Sequence, residues 1–394
     1  MGCDTFPPNV NGAANFAERL AVGLVRHGHN VHIVAPAASR HHGTGVETHL
    51  GVPMMVHRLR SWRWYPHDWL RFSLPWTSKW NARKILDEVQ PDVVHIQSHI
   101  VIGRGLAYEA HKRGIPVVAT NHIMPENLIE FTLLPKFLRN AFISIAWSDA
   151  RKSFDLAAAV TTPTERAADF LREATGIDNP LAVSCGIDAH NYVPNFEPRV
   201  GNRILFVGRV TGEKQIDVLL RALAILPEHF NAHLDVVGTG DQLKNLQNLA
   251  KSLGIGDRVN FLGYVSDEDL CQVYTRSTVF AMPSIAELQS IVTMEAMASG
   301  LPVVAADAMA LPHLVSDGKN GFLFEPGNVQ DLADKLTRIL SMDDEELTRF
   351  KKAALDTVAA HDIERTIRTF ECLYRGEPVD DPPSGSSTVV TERE

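Results

Sequence analysis

Cysteine is scarce in this chain. Four occur in 394 residues, Cys3, Cys185, Cys271 and Cys372, with no CxxC pair among them. Neither a disulfide framework nor a zinc finger is indicated, and no metal or other cofactor is expected. Long apolar runs are missing too. No stretch of 18 apolar residues occurs, and the opening residues lack the charged-then-apolar order of a secretory signal. A membrane span is thereby excluded and a cytoplasmic protein expected, with attachment to a membrane surface as a further option. Positive charge is in deficit: 38 Lys and Arg against 47 Asp and Glu give a net charge of -9, which argues against a nucleic-acid partner. What remains is ordinary for a globular protein, 45% hydrophobic and 22% charged, in a chain long enough for two separate cores.

Short apolar runs alternate with amphipathic ones along the chain. Cys3 to Pro8 reads like the end of a strand whose body is missing. An amphipathic helix through Phe16, Leu20, Leu24 and Val25 follows, then a buried strand from Val31 to Pro36. Further strands are expected at Val93–Ile96, Ile115–Thr120 and Val160–Pro163, with helices at Gly103–Arg113 and 136–156. After a proline-bearing link at 193–198 a second series begins. Its strands are expected at Arg203–Val207, Ala232–Val237, Val259–Leu262, Val279–Met282 and Pro302–Ala305, and its helices at 216–226, 241–253, 267–276 and 287–299. Such alternation predicts two doubly wound α/β domains, at 1–195 and 196–376. The last helix is expected to pack back on the first domain. Residues 377–394, rich in proline, serine and acids, read as a disordered tail.

One stretch departs from this background. Five of the six tryptophans, Trp62, Trp64, Trp69, Trp76 and Trp80, fall between Arg58 and Lys84, with Arg58, Arg60, Arg63, Arg71, Lys79, Arg83 and Lys84 against the single acid Asp68. Tryptophan beside cations suits a membrane–water interface with anionic head groups. The plainer reading is a long loop whose tryptophans pack on the domain. A second stretch, Leu133 to Trp147, reads as a core helix.

Residues suited to phosphate chemistry gather in the second domain. In FVGRVTGEKQ, a strand ends at Val207, Gly208 allows a close turn, and Arg209 and Lys214 project before a helix. A diphosphate leaving group needs such positive charge where negative charge grows. Gly238 and Gly240 end the next strand, and Tyr264 and Val265 the one after, so all these loops lie where open α/β sheets bind ligands. In PSIAELQSIVTMEAMASGLP, Glu287 and Glu295 stand eight residues apart. On a helix that separation is about 12 Å, comparable to the reach from the sugar to the ribose of a nucleotide-sugar. Two solvated glutamates on a surface helix would share the same spacing. In the first domain, Gly12 and His122 follow strand ends of the same kind.

The order of these pieces resembles the retaining glycosyltransferases of family 4, of GT-B fold. PPNVNG (Pro7–Gly12), NHIMPEN (Asn121–Asn127), GID (Gly186–Asp188), GRVTGEK (Gly208–Lys214), GTG (Gly238–Gly240) and the Glu287–Glu295 pair fall in the family order over about residues 4 to 375. Cys185, Gln215 and Ala13 depart from it, where asparagine, glycine and glycine are common. The resemblance implies two Rossmann-like domains facing across a cleft. PPxVNG, NHxMPEN and the Leu288–Gln289 after the first glutamate are similar to actinobacterial lipid mannosyltransferases that use GDP-mannose.

The roles implied are specific. Glu287 would hold donor-sugar hydroxyls, with the backbone N–H groups of Leu288, Gln289 and Ser290 on the diphosphate. Arg209 and Lys214 would neutralise the leaving group, Glu295 would bind ribose, and Gly12 would let its loop close on phosphate. His122 would bond the sugar near the reacting carbon. A lipid acceptor at an anionic membrane surface, met by Arg58, Arg60, Trp62, Arg63, Trp64 and Trp69, would complete a hexosyltransferase on the cytoplasmic face of the plasma membrane. The other readings are a UDP-glucose diacylglycerol glucosyltransferase, a phosphatidylinositol mannosyltransferase, an NAD-dependent oxidoreductase and a non-catalytic lipid- or sugar-binding module. An oxidoreductase would need GxGxxG at the first turn, where Asn11-Gly12-Ala13 supplies one glycine.

Overall fold

The computed structural model describes residues 1–9, 11–64, 67–123 and 136–379. Among them the chain divides into two compact units at Gly186/Ile187, and the closing helix Ile363–Arg375 belongs with the first. The tail expected at 377–394 falls outside the described residues from 380 onward.

In the first unit the elements run α1 (Gly12–Arg26), β1 (His32–Pro36), β2 (Gly43–His49), β3 (Val52–Leu59), β4 (Trp62–Trp64), β5 (His67–Phe72), α2 (Pro75–Val89) and β6 (Val94–Ile96). They continue with α3 (Ile102–His111), β7 (Val117–Thr120), α4 (Lys136–Phe154), β8 (Ala159–Thr162), α5 (Glu165–Thr175) and β9 (Leu181–Ala182). The first strand, expected to be missing, is present in vestige. Gly2 makes parallel bridges to both Val34 and Ile96. The Gly2 N–H donates to the His95 carbonyl at 2.8 Å and the Cys3 N–H to that of Val34 at 2.9 Å. This short segment joins β2-β3-β1 to β6-β7-β8-β9, with only the β2–β3 pair antiparallel. So few residues carry no readable period, which is why pattern alone missed the strand.

Asp4, one residue beyond that segment, secures it to α3. Its carboxylate accepts from the Ile102 N–H at 2.8 Å and from the Ser98 hydroxyl, at a helix end that has no side-chain cap of its own. An acid there also meets the positive end of the helix dipole. Gly103 in the same turn has no alternative, because a Cβ would lie 1.7 Å from the Ser98 carbonyl oxygen.

The tryptophan-rich stretch is not a long loop. It closes β3, forms the β4–β5 hairpin and opens α2. The core reading of the 133–147 stretch also fails in part. Leu133 to Pro135 lie outside the described residues, and in α4 Trp147 is buried whereas Phe137 is 82% exposed and Ile145 68%.

In the second unit the order is β10 (Arg203–Val207), α6 (Ile216–Ile225), β11 (His233–Val237), α7 (Leu243–Ser252), β12 (Val259–Gly263), α8 (Asp267–Thr275) and β13 (Val279–Met282). After these come α9 (Ile291–Ala298), β14 (Val303–Ala306), α10 (Leu311–Leu314), β15 (Gly321–Phe324), α11 (Val329–Leu340) and α12 (Asp344–Ala359). The sheet is parallel throughout, in the order β12-β11-β10-β13-β14-β15. Strands covered on both faces read as unbroken apolar runs, as ILFV of β10 and VFAM of β13 do. The exception, Asp235 on β11, is fully buried and satisfied by Arg203, Arg276 and Asn260 at 2.8–3.0 Å. β15, α11 and α12 were not anticipated.

The closing helix, α13 (Ile363–Arg375), is held to α1 in the first unit partly by charge. His27 reaches Glu364 at 3.0 Å and Glu371 at 3.1 Å, and His29 reaches Glu371 at 2.8 Å. The Glu364 hydrogen bond raises the His27 pKa above its ordinary value, against partial burial, with Glu371 adding to it. A raised histidine pKa stabilises fully below the unfolded value near 6.5 and loses that contribution as pH rises through the folded value. Hydrogen-exchange protection of Ile363–Arg375 should therefore fall as pH rises above the unfolded histidine value of about 6.5. His27→Gln should flatten that dependence; an unchanged pH profile in the variant would show that His27 is not its source.

Candidate active site

Both sheets follow one topological rule. In the second unit the chain starts at β10, winds outward to β12, then returns to β13 on the other side of β10. The switch point lies between β10 and β13, where loops from adjacent strand ends diverge and leave room for a ligand. Those two loops are GRVTGEKQ and PSIAELQS.

The structure brings Lys214 and Glu287 together as a direct ion pair between these loops. Both side chains are largely withdrawn from solvent. Burial alone would push the Glu287 carboxyl up; the Lys214 ammonium, a Ser284 hydrogen bond and the Arg209 charge outweigh it and hold the carboxyl below the usual range. Glu287 is thus ionised at neutral pH and able only to accept hydrogen bonds. Arg209 lies beside the same group, its guanidinium 3.3 Å from Glu213. Two backbone bonds fix the second loop: the Ile285 N–H donates to the Glu213 carbonyl and the Ala310 N–H to that of Glu287, each at 3.1 Å.

The helical reading of 287–299 needs correction. α9 begins at Ile291, after Ser290, whose φ of 58° is left-handed. Glu287, Leu288 and Gln289 belong to the preceding loop, so no continuous helix separates Glu287 from Glu295. The left-handed turn ends the loop and starts α9 with neither a side-chain cap nor an acid in its first turn. Such a helix start favours an anion. α1, by contrast, is capped by Asn11, whose side chain accepts from the Ala14 N–H at 2.9 Å. Gly12 follows that cap as the first residue of α1. Glu295 sits inside α9, buried, and accepts from the Tyr274 hydroxyl at 3.2 Å.

The remaining expected donor residues occupy the same strand ends. Gly238 and Gly240 are needed for loop packing: a Cβ would lie 1.9 Å from the Gly208 carbonyl oxygen and 2.1 Å from that of Val210, respectively. The N–H of Gly208 donates to the Val237 carbonyl at 3.0 Å. Tyr264, 71% exposed beyond β12, is followed by half-buried Val265. Gln215 stands at φ 47°, which explains why glycine suits that position.

In the first unit His122 follows β7, half-buried against Phe16 with ring centroids 5.0 Å apart. Its Nε2 lies 2.9 Å from Gln97 Oε1. Burial lowers its pKa to about 4, so the imidazole is neutral at neutral pH. Met124–Asn127 of the NHIMPEN motif are outside the described residues. Gln97 went unnoticed in the sequence; its signal was its place at the end of β6, which pairs with β7.

The interfacial residues divide. Arg58 is pinned, not free for a surface: it grips Glu47 at 2.8 and 2.6 Å and donates to the Pro7 carbonyl at 2.7 Å. Arg60 lies over the Trp62 ring at 5.2 Å, and Arg63 is exposed. The side chains of Trp64 and Trp69 are outside the described residues. Trp76 and Trp80, one turn apart on α2, are 69% and 64% exposed. Among the described residues, no helix is long and apolar enough to cross a membrane.

A family model described as Glycosyltransferase Family 4 matches residues 10–191, and one described as Glycosyl transferases group 1 matches 194–357. The GDP-mannose-dependent alpha-mannosyltransferase of Mycolicibacterium smegmatis is 30% identical over 330 residues, 82% of this chain and 83% of that protein. The chain belongs to the family 4 glycosyltransferases. Within the family it is also 29% identical, over 338 residues, to the sulfoquinovosyl transferase SQD2 of Arabidopsis thaliana; that match spans 80% of this chain but 63% of the plant protein. A sucrose-phosphate synthase structure from Thermosynechococcus elongatus superposes with a TM-score of 0.78 at 19% identity, covering 95% of this chain and 98% of that one. The fold of this family 4 chain is GT-B, built on two Rossmann-like sheets.

A buried ion pair costs most when one partner is removed. Lys214→Met should destabilise the protein by about 3 kcal/mol by leaving the Glu287 carboxylate unpaired. Adding Glu287→Gln should recover part of that loss. Denaturant melts of both single variants and the double variant measure the coupling, and strict additivity would show that the pair is not energetically linked.

Proposed function

We propose that this protein transfers a hexose from a nucleoside-diphosphate sugar to a glycolipid, with retention at the anomeric carbon. GDP-mannose is the favoured donor and a membrane glycolipid such as glucuronosyl-diacylglycerol the favoured acceptor. The observation that carries the reading is the Lys214–Glu287 pair beside the uncapped start of α9. It sets a cation, a row of N–H groups and an ionised acceptor side by side, matching a diphosphate next to a sugar.

In this reading the N–H groups at Leu288, Gln289 and Ser290 bind the diphosphate, and Lys214 and Arg209 stabilise the charge that grows on it as the glycosidic bond breaks. Glu287, ionised, accepts hydrogen bonds from sugar hydroxyls. Glu295 takes the ribose, with the exposed ring of Tyr264 beside Val265 as a surface for the base. Gly12 lets its loop approach phosphate. His122 hydrogen-bonds a donor-sugar hydroxyl. Because Glu287 is committed to Lys214, it is poorly suited to attack carbon; the acceptor oxygen attacks from the face the diphosphate leaves, and the leaving phosphate takes its proton. Trapping of a glycosyl–enzyme adduct by mass spectrometry would overturn that step.

The relative at 30% identity, named for GDP-mannose, supports the donor. The relative named a sulfoquinovosyl transferase favours a second reading in which another sugar is carried, so the test must include other donors. On α2, Trp76 and Trp80 beside Lys79, Arg83 and Lys84 support an acceptor presented at an anionic surface on the cytoplasmic face of the plasma membrane.

A radiolabelled panel of GDP-mannose and UDP-glucose against extracted membrane lipids, with thermal melts in each nucleotide sugar and in NADH, tests the reading. Transfer from GDP-mannose is expected, and Glu287→Gln should lower kcat by about a hundredfold or more. Thermal stabilisation by NADH, with no response to either nucleotide sugar, would sink the transferase reading. Trp76→Ala with Trp80→Ala should weaken sedimentation with anionic vesicles and transfer to vesicle-borne acceptor, sparing a soluble acceptor analogue. Equal loss on both acceptors would refute the surface role.

A further inference from the structure

A polar chain runs through the otherwise apolar sheet of the first unit. His95 on β6 is almost fully buried, with Nδ1 2.7 Å from the Tyr374 hydroxyl of α13 and Nε2 2.7 Å from Thr120 Oγ1 on β7. Thr120 Oγ1 is in turn 2.7 Å from Thr161 Oγ1 on β8. The Gln97 amide nitrogen faces the His95 ring at 3.2 and 3.3 Å, which leaves its amide oxygen on His122 Nε2 at 2.9 Å. Phe370 packs on His95 and on Phe16, the ring that backs His122. Gln97 is therefore buried and held at both ends.

We infer that Gln97 is a positioning residue that fixes His122 as the Nε2–H tautomer. An amide oxygen only accepts, so the proton between the two side chains belongs to His122. In a neutral imidazole the other nitrogen, Nδ1, then carries a lone pair, and among the described residues nothing hydrogen-bonds to it. His122 thus meets the donor sugar as an acceptor for a hydroxyl proton. It supplies no acid, in keeping with a leaving group stabilised by Lys214 and Arg209. The kinetic part of this inference rests on the proposed role of His122; the tautomer does not.

Ring-nitrogen NMR of the full chain, labelled with 15N-histidine and assigned with His122→Gln, reads the tautomer directly. His122 should appear as Nε2–H with an unprotonated Nδ1. Gln97→Met, of similar volume, should mix the two tautomers and lower kcat with GDP-mannose about tenfold, the loss expected for one hydrogen bond, with little change in KM. Gln97→Glu retains an acceptor oxygen and should restore the Nε2–H tautomer. An Nδ1–H tautomer in the unmodified protein, or a tautomer unmoved by Gln97→Met, would overturn the inference. A clean Nε2–H tautomer without turnover of any nucleotide sugar would leave the positioning intact and overturn the transferase reading instead.

Discussion

An ammonium and a carboxylate withdrawn from water govern the second unit. Neither Lys214 nor Glu287 is tolerable there alone, since an unpaired buried charge costs several kcal/mol. Their pairing requires two loops from adjacent strands, 73 residues apart in sequence, to hold one spacing. The sheet order supplies that adjacency, because β10 and β13 are neighbours only where the winding reverses. The pair therefore makes the switch point a rigid place and not merely a gap. The same contact keeps Glu287 ionised and able only to accept hydrogen bonds.

The first unit solves the same topological problem with different chemistry. Its switch point lies beside the Met1–Cys3 segment, and Asp4 ties the two loops there by accepting from Ser98 and from the start of α3. The polar investment lies in the chain from Tyr374 through His95 and Gln97 to His122, neutral throughout. Burial pushes the pKa of both histidines down, and that of Tyr374 up. A neutral network in a low-dielectric interior orients side chains without the desolvation penalty of ions. It also gives α13 a reason to belong to the first unit beyond apolar packing.

Much of this was legible in the residues. The strands of the second unit announced themselves as apolar runs because both sheet faces are covered, and RILFV and VFAM were placed to the residue. The loops after β10 and β13 were legible as loops because Gly208 and Pro283 follow directly on the apolar runs. What failed was set by tertiary context. The Met1–Cys3 segment pairs through a single bridged residue, too little for a period. Arg58 looked interfacial by composition, yet Glu47 on the paired strand β2 claims it. Gln97 carries no motif at all. Its meaning comes from the neighbour that β6–β7 pairing brings alongside.

Glu287 and Glu295 show how a spacing can be informative for a reason other than the one it suggests. A helix would have set their separation by its rise, and any helical sequence would have served. Instead the interval contains a loop, a left-handed Ser290 and the first turn of α9. Position then depends on what holds each end. Glu287 is held by its own carbonyl, which accepts from Ala310, by the Ile285–Glu213 bond beside it, and by Lys214. Glu295 is held by the helix and by Tyr274. The two carboxylates are thus anchored independently, one to the loop after β10 and one to the core. A continuous helix would have coupled the two ends; the loop and the left-handed Ser290 between them do not.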